Sequence, residues 1–408
     1  MLEAKAEILI VGAGILGLTV ARELIRRGAD RIIIVEKESE VGLHASGRNS
    51  GVLHGGVYYT PDSLKAKSCL RGNMLMKEYC AERGIPCVEN GKVIVTSREK
   101  EIPVLEELER RARANGASVE MLDEKSLREI EPAARTVGKA LWVKNTAAVE
   151  PKDVLKALVK DLIRSRRVSL RFTTAFDSLL GSGKARTTKG TISFDYFVNT
   201  AGAYSDVIAH RFGLAGEYRL VPFKGIYRKL NPRTPLASQI NGNIYPVPDL
   251  RNPFLGVHFS RNVRGEVYVG PTAMPAFGRE HYGILRGING EAFRFFWYDW
   301  MLFMSQPSFR RVALTEPMKY FKSRFYRDAA KLLRGLSPHD LLPSNKSGIR
   351  PQLVNRKTKK LEMDFILLRD ASAVHVLNPI SPAFTSSMDL AEKICDALEG
   401  RHEYKTRS

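Results

Sequence analysis

The sequence predicts an α/β chain of two domains, one three-layered around a buried sheet and one built on an antiparallel sheet. Three observations lead there. Residues 7–37 carry a strand, a glycine turn, a helix, a second strand and an acid in unbroken order. Residues 194–206 repeat the order strand, small-residue turn, helix. Between residues 221 and 271 the pattern changes to short, Pro-punctuated, alternating segments, which belong to a different sheet. At 408 residues the chain is long enough to bury two cores.

Ile8 to Val11 is an apolar run with nothing polar to solvate it, so it reads as a strand buried on both faces. Gly12-Ala13-Gly14-Ile15-Leu16-Gly17 follows. In that order the glycines allow a tight turn, close approach of a pyrophosphate, and packing of the next helix on the strand. Leu18, Ala21, Leu24 and Ile25 recur at helical spacing, and Gly28 stops the helix. Ile32 to Val35 is a second buried strand, closed by Glu36. An acid there, about 20 residues past the glycines, suits a ribose hydroxyl of an adenine dinucleotide and disfavours a 2′-phosphate. The phosphates fit the helix N-terminus, where free N–H groups and the helix dipole favour anions. This opening is Rossmann-like.

Residues 41–51 are small and hydroxyl-rich, which suits a backbone lying against a ligand. Val52 to Tyr59 begins apolar and carries His54, two glycines and two tyrosines. A functional His54 and a satisfied interior histidine are equal readings. Ser63 to Arg83 reads as a helix, broken by Gly84-Ile85-Pro86. Lys92 to Thr96 looks like a strand, Glu101 to Asn115 a charged amphipathic helix ended by Gly116, and Leu141 to Val143 a strand. Pro151 sits near the first turn of the next helix. Phe194 to Asp206 is a βα junction. Residues 243–248, 254–261 and 266–271 are β segments, the last two joined by an Arg264-Gly265 turn. Residues 374–387 form a strand and a Pro/Ser turn ahead of the last helix, Met388 to Leu398. His375, inside that apolar strand, reads as structural.

Four stretches carry a family resemblance: Ser46 to Tyr59, Ile244 to Tyr282, Gly348-Ile349-Arg350, and Leu377 to Ser387 with its Asn378, Ser381-Pro382-Ala383 and Thr385-Ser386. The chain resembles the D-amino-acid-oxidase-like flavoenzymes, and among them the L-2-hydroxyglutarate dehydrogenases and oxidases. It has Arg48 where those enzymes often have histidine, and Lys224 where they commonly have arginine, which keeps the charge but loses a bidentate fork. The resemblance implies FAD as cofactor. It implies a three-layer Rossmann-like FAD-binding domain (1–90, 149–222 and 345–408) interleaved with an antiparallel-sheet α+β substrate domain (91–148 and 223–344). It nominates Gly12, Gly14, Gly17, Glu36, Lys37, Ser46, Asn49, Ser50, Gly51, Ala201, Gly202, Gly348, Ser381 and Thr385 for the cofactor.

The implied activity is oxidation of L-2-hydroxyglutarate, or a close 2-hydroxy dicarboxylate, to the 2-oxo acid, with hydride passing to flavin N5. The flavin does the electron chemistry and the protein orients the substrate. The hydroxyl proton needs a base, which favours histidine, and His54 and His258 are the candidates. A dicarboxylate needs cationic clamps, for which Lys224, Arg261 and Arg350 stand, with Tyr58, Tyr59 and Tyr245 as hydroxyl donors. No metal is expected. An amine or amino-acid oxidase of the same superfamily, and a membrane-associated dehydrogenase passing electrons to quinone, are the alternatives.

The net charge of +20 suits nucleic acid, an anionic membrane, an anionic substrate, or solubility alone. Zinc spacing and the aromatic strand signature of RNA-recognition folds are both missing, so nucleic acid is not expected. No apolar run is long enough to span a bilayer, and the first strand leaves no room for a secretory signal. The four cysteines lack CxxC or metal spacing and read as free thiols of a reducing compartment. A cytoplasmic location is expected, with the inner face of the cell membrane as a peripheral alternative. Phe293 to Met304 is the most aromatic run. Its first reading is core packing or a dimer face. Its second is a surface that dips into a membrane, since basic residues follow it directly. Oligomeric state is open.

Overall fold

The computed structural model describes residues 3–251 and 254–401. By contact the chain divides into two units: Met1–Arg48, Pro151–Val221 and Pro351–Ser408 form one, Asn49–Glu150 and Pro222–Arg350 the other.

The first unit is built on a mainly parallel sheet. Strand Glu3–Val11 lies between Ile32–Val35 and Gly190–Asn199, parallel to both. Val168–Arg171 continues the sheet beyond Ile32–Val35, and Ala373–Leu377 pairs in parallel with Gly190–Asn199. Ile8 to Val11 and Ile32 to Val35 are buried throughout, as a sheet covered on both faces requires. Helix Ile15–Arg26 packs on Pro151–Ser165 and on the last helix, Ala383–Leu398. That last helix starts five residues before the expected Met388, directly after Pro382.

The second unit holds a mainly antiparallel sheet. Its strands run side by side in the order Val119–Leu122, Ala140–Val143, Lys92–Val95, Asn243–Pro246, His258–Arg261, Val267–Gly270. One pairing is parallel: Lys92–Val95 with Asn243–Pro246. Successive side chains alternate across the sheet. Val93, Val95, Ile244 and Phe259 therefore face one core, with Phe325, Leu332 and Leu333. Ile94, Leu141, Val143 and Tyr245 face another, with Leu105, Leu108 and Ala112 of helix Ile102–Ala114. The helix expected from Ser63 spans Leu64–Glu82, and the Ser63 hydroxyl caps it by accepting from the Ala66 N–H at 3.1 Å.

These units differ from the expected domain boundaries chiefly in residues 49–90, which group with the second unit. The reason is a small sheet: Val52–Leu53 and Cys87–Val88 both pair with Ala147–Val149. Residues 345–350 group there as well. Among the described residues, no helix is long and apolar enough to cross a membrane.

Candidate active site

In the first unit, strand Glu3–Val11 delivers the chain into a turn at Gly12, whose φ of +102° lies in the left-handed region. A Cβ there would stand 2.7 Å from the Thr200 carbonyl oxygen. At Gly17 a Cβ would stand 1.9 Å from the Gly12 carbonyl oxygen, so only glycine lets the helix start this close to the strand. The Ile15 N–H donates to the Ser46 hydroxyl at 3.0 Å. The Glu36 carboxylate accepts from the N–H groups of Ala13, at 2.8 Å, and Glu38, at 3.0 Å, so it sits beside the glycine turn. The turn at Ala201 and Gly202 is held by Thr200, whose hydroxyl donates to the Val11 carbonyl at 3.0 Å. Nothing lies within 4 Å of where a Gly202 Cβ would be. Lys37 reaches Glu38 and His44 and lies 5.5 Å from the centre of the Tyr204 ring. Thr385 is buried in the first turn of helix Ala383–Leu398, and Ser381 is exposed ahead of it. A bare backbone turn, a helix N-terminus and an acid after the next strand fit an adenine dinucleotide.

In the second unit, alternation puts Lys92, Tyr245 and His258 on one face of three neighbouring strands. His258 stacks on Tyr245 with ring centres 3.8 Å apart. Its Nδ1 lies 2.8 Å from the Gly256 carbonyl oxygen, which can only accept. Nδ1 therefore carries the hydrogen and Nε2 keeps its lone pair. The Lys92 ammonium lies 4.5 Å from the centre of the Tyr58 ring and 5.2 Å from that of Tyr245. His54 enters from the segment after Val52–Leu53 and is buried. Asn73, inside helix Leu64–Glu82, fixes that segment by donating to the carbonyls of Leu53, at 3.1 Å, and His54, at 3.2 Å. The Arg350 guanidinium lies 5.4 Å from the centre of the Phe254 ring.

Burial sets the electrostatics of this cluster. It holds His54 well below the usual histidine range, helped by the charges of Lys92 and Arg350. It brings His258 down to about 3, against the opposing pull of the Gly256 carbonyl. Both rings are thus neutral near neutral pH. Burial also lowers Lys92 to about 7 and pushes the Tyr58 phenol well up. None of the groups that shift Lys92 or the two histidines is a carboxylate. Arg350 does feel one, Glu316; a buried site with that cation, neutral bases and phenols is suited to receive an anion.

A model of the family described as FAD dependent oxidoreductase matches residues 7–396. The mitochondrial L-2-hydroxyglutarate dehydrogenase of Nematostella vectensis is 35% identical, over 97% of this chain and 91% of its own length. The chain belongs to the L-2-hydroxyglutarate dehydrogenase family of FAD-dependent oxidoreductases. The mitochondrial L-2-hydroxyglutarate dehydrogenase of Homo sapiens is 34% identical, over 97% of this chain and 89% of its own. The fold is shared with L-alpha-glycerophosphate oxidase from Mycoplasma pneumoniae, solved with FAD bound: TM-score 0.77, 22% identity, 99% of this chain and 96% of that one. L-Proline dehydrogenase from P. horikoshii has a TM-score of 0.75 at 16% identity, over 98% of this chain and 95% of that one. The cofactor of this family member is FAD, and the glycine turn with Glu36 has the geometry expected of a dinucleotide cradle.

The structure gathers most of the residues that the sequence nominates for this flavoenzyme's chemistry. His54, Tyr58, Tyr245, His258 and Arg350 lie in one electrostatically coupled cluster. Tyr59 lies close enough to Arg350 to act on its charge. Arg261 is not brought to them. It shares a strand with His258 but points to the opposite face, beside Phe259, and donates to the Ile240 carbonyl. Lys224 is tied to the Gly283 carbonyl. Asn49 turns the chain by accepting from the Gly51 N–H at 2.8 Å, while Ser50 and Gly348 are half-buried in the second unit. Two further residues, Lys92 inside the cluster and Asn73 behind His54, are absent from the sequence's nominations. Lys92 had a readable signal: a lysine opening the otherwise apolar strand Lys92–Val95. Asn73, one polar residue on a mixed helix, had none.

Proposed function

We propose that this chain oxidises L-2-hydroxyglutarate, or a close 2-hydroxy dicarboxylate, to the 2-oxo acid, 2-oxoglutarate for the first of these. The observation that carries this reading is the buried cluster of Arg350 with two neutral histidines, His54 and His258. The similarity of 34–35% to L-2-hydroxyglutarate dehydrogenases supports it. FAD, when bound, supplies the acceptor for the substrate's hydride at flavin N5. The protein's own part is binding, orientation and proton transfer. Arg350 offers a planar fork to one carboxylate. Tyr58 and Tyr245 line the site with hydroxyls. The substrate hydroxyl gives its proton to a neutral imidazole, best to His258 Nε2, whose tautomer the Gly256 carbonyl sets. A bound carboxylate nearby raises that ring's proton affinity against the effect of burial. An amine substrate suits the site less well, since its ammonium would face Lys92 and Arg350.

The decisive experiment is the visible spectrum of the purified protein under anaerobic conditions. L-2-Hydroxyglutarate should bleach the oxidised-flavin bands, and the D-isomer should leave them unchanged. A flavin spectrum that persists with the L-isomer ends the hydroxyglutarate reading.

Helix Ala292–Ser305 favours a second reading, in which the enzyme docks on a membrane and passes its electrons to a quinone. Phe293, Phe296, Trp297, Trp300 and Met304 recur along one face of this helix and are exposed, Phe293 by 81%. Phe295, Tyr298 and Leu302 face inward. Core packing, the first reading of this run from sequence, therefore holds only for that inner stripe. Leu285, Leu314 and Phe321 add to the exposed apolar side chains. With Arg310, Arg311, Lys322 and Arg324 close by in sequence, the chemistry matches an anionic bilayer. The protein should sediment with anionic vesicles at low salt, and the Trp297→Ser, Trp300→Ser double variant should sediment much less. Wild-type protein left in the supernatant would end this reading.

A further inference from the structure

Resting on the dicarboxylate reading above, we propose that Lys92 is the second cation of the substrate site and takes up a proton when a dicarboxylate binds. Strand Lys92–Val95 is buried along its whole length. The same face carries Ile94, so an aliphatic residue would satisfy position 92 at less cost to folding. Instead Lys92 is 1% exposed, and its Nζ has no hydrogen-bond partner among the described residues. Nor has the hydroxyl of Tyr58, whose ring lies beneath that amine. Buried polar groups are ordinarily paired, and an unpaired buried amine opposes folding. In this cluster the missing partner is an anion. A dicarboxylate carries two carboxylates, and Arg350 accounts for one.

The groups around Lys92 are Tyr58 and Tyr245, His54 and His258, and Cys69; Arg350 acts on the same two histidines from its own position. The histidines are neutral, and burial pushes Cys69 up to about 12. Burial leaves the Lys92 amine at about 7, the Cys69 thiol opposing it weakly. In the free enzyme the amine is charged below that pH and mostly neutral above it. A carboxylate beside it restores the charge. Binding should therefore draw in about 0.9 proton near pH 8 and only about 0.1 near pH 6. Affinity should weaken about tenfold over the same range, because only the charged fraction binds without drawing in a proton.

The test is titration calorimetry of the FAD-loaded enzyme with glutarate, a five-carbon dicarboxylate lacking the hydroxyl, in buffers of different ionisation heat. Wild type should show the pH-dependent uptake just described. Lys92→Arg should bind with no uptake and with affinity independent of pH. Lys92→Met should lose the uptake and bind about a hundredfold more weakly, with the flavin spectrum unchanged. Wild type that binds without uptake near pH 8 overturns the proposal. So does uptake that survives in either variant, which would place the proton on a histidine and leave the dicarboxylate reading standing. Wild type that fails to bind glutarate overturns both readings together.

Discussion

Replacing Arg350 with alanine should raise KM for L-2-hydroxyglutarate by roughly a hundredfold, while FAD content stays as it is. The side chain lies against the Phe254 ring, which packs in turn on Phe223 at 4.7 Å between ring centres. Its guanidinium is therefore held in place before substrate arrives, and the substrate loses little entropy in ordering it. Truncation removes the bidentate partner of one carboxylate. Arg350→Lys should recover part of the affinity, since it restores charge without the fork. Steady-state kinetics with flavin absorbance as the loading control decide the matter, and an unchanged KM would take Arg350 out of the clamp.

Asparagine at position 258 should instead lower kcat by about two to four orders of magnitude and leave KM within a few fold. The amide can keep a donor toward the Gly256 carbonyl, so position is conserved and only the proton acceptor is lost. Single-turnover reduction of the flavin measures this directly. Activity within a few fold of wild type would shift the base to His54. The pH profile adds a second readout. His258 in the free enzyme sits at about 3, so its protonation cannot set an acid limb of kcat/KM near neutrality. Lys92, at about 7, loses its charge as pH rises, so kcat/KM should fall on the alkaline side of that value. The fall should be absent in Lys92→Arg.

The two halves of this enzyme differ in how much their sequence discloses. The glycine turn is legible because its strand, turn, helix, strand and acid are neighbours in the chain, and Gly12, Gly17 and Glu36 lie within that one stretch. The substrate cluster is not local. Lys92 meets Tyr245 because Lys92–Val95 pairs in parallel with Asn243–Pro246, a long-range pairing that no local periodicity encodes. For the same reason no local pattern shows that residues 49–90 group by contact with the second unit: the partner of Val52–Leu53 lies far along the chain. Arg261 is a different case. The alternation from His258 to Arg261 already sets the two on opposite faces, so its distance from the cluster could be read from parity alone. The aromatic run Phe293 to Met304 is hydrophobic nearly all round, which hides from sequence which stripe is covered.

The central ribbon of the second unit is printed on both sides. Val93, Val95, Ile244 and Phe259 keep the fold on one side; on the other, beside Ile94 and Leu141, stand Lys92, Tyr245 and His258, the residues proposed to address the ligand. Point substitutions on the second side can let substrate preference drift while the first side holds the architecture. A one-residue insertion or deletion upstream of Val93 has no such freedom. It would turn the strand over, send the amine into the aliphatic core and bring a valine to the ligand, so folding and recognition would be lost in the same step.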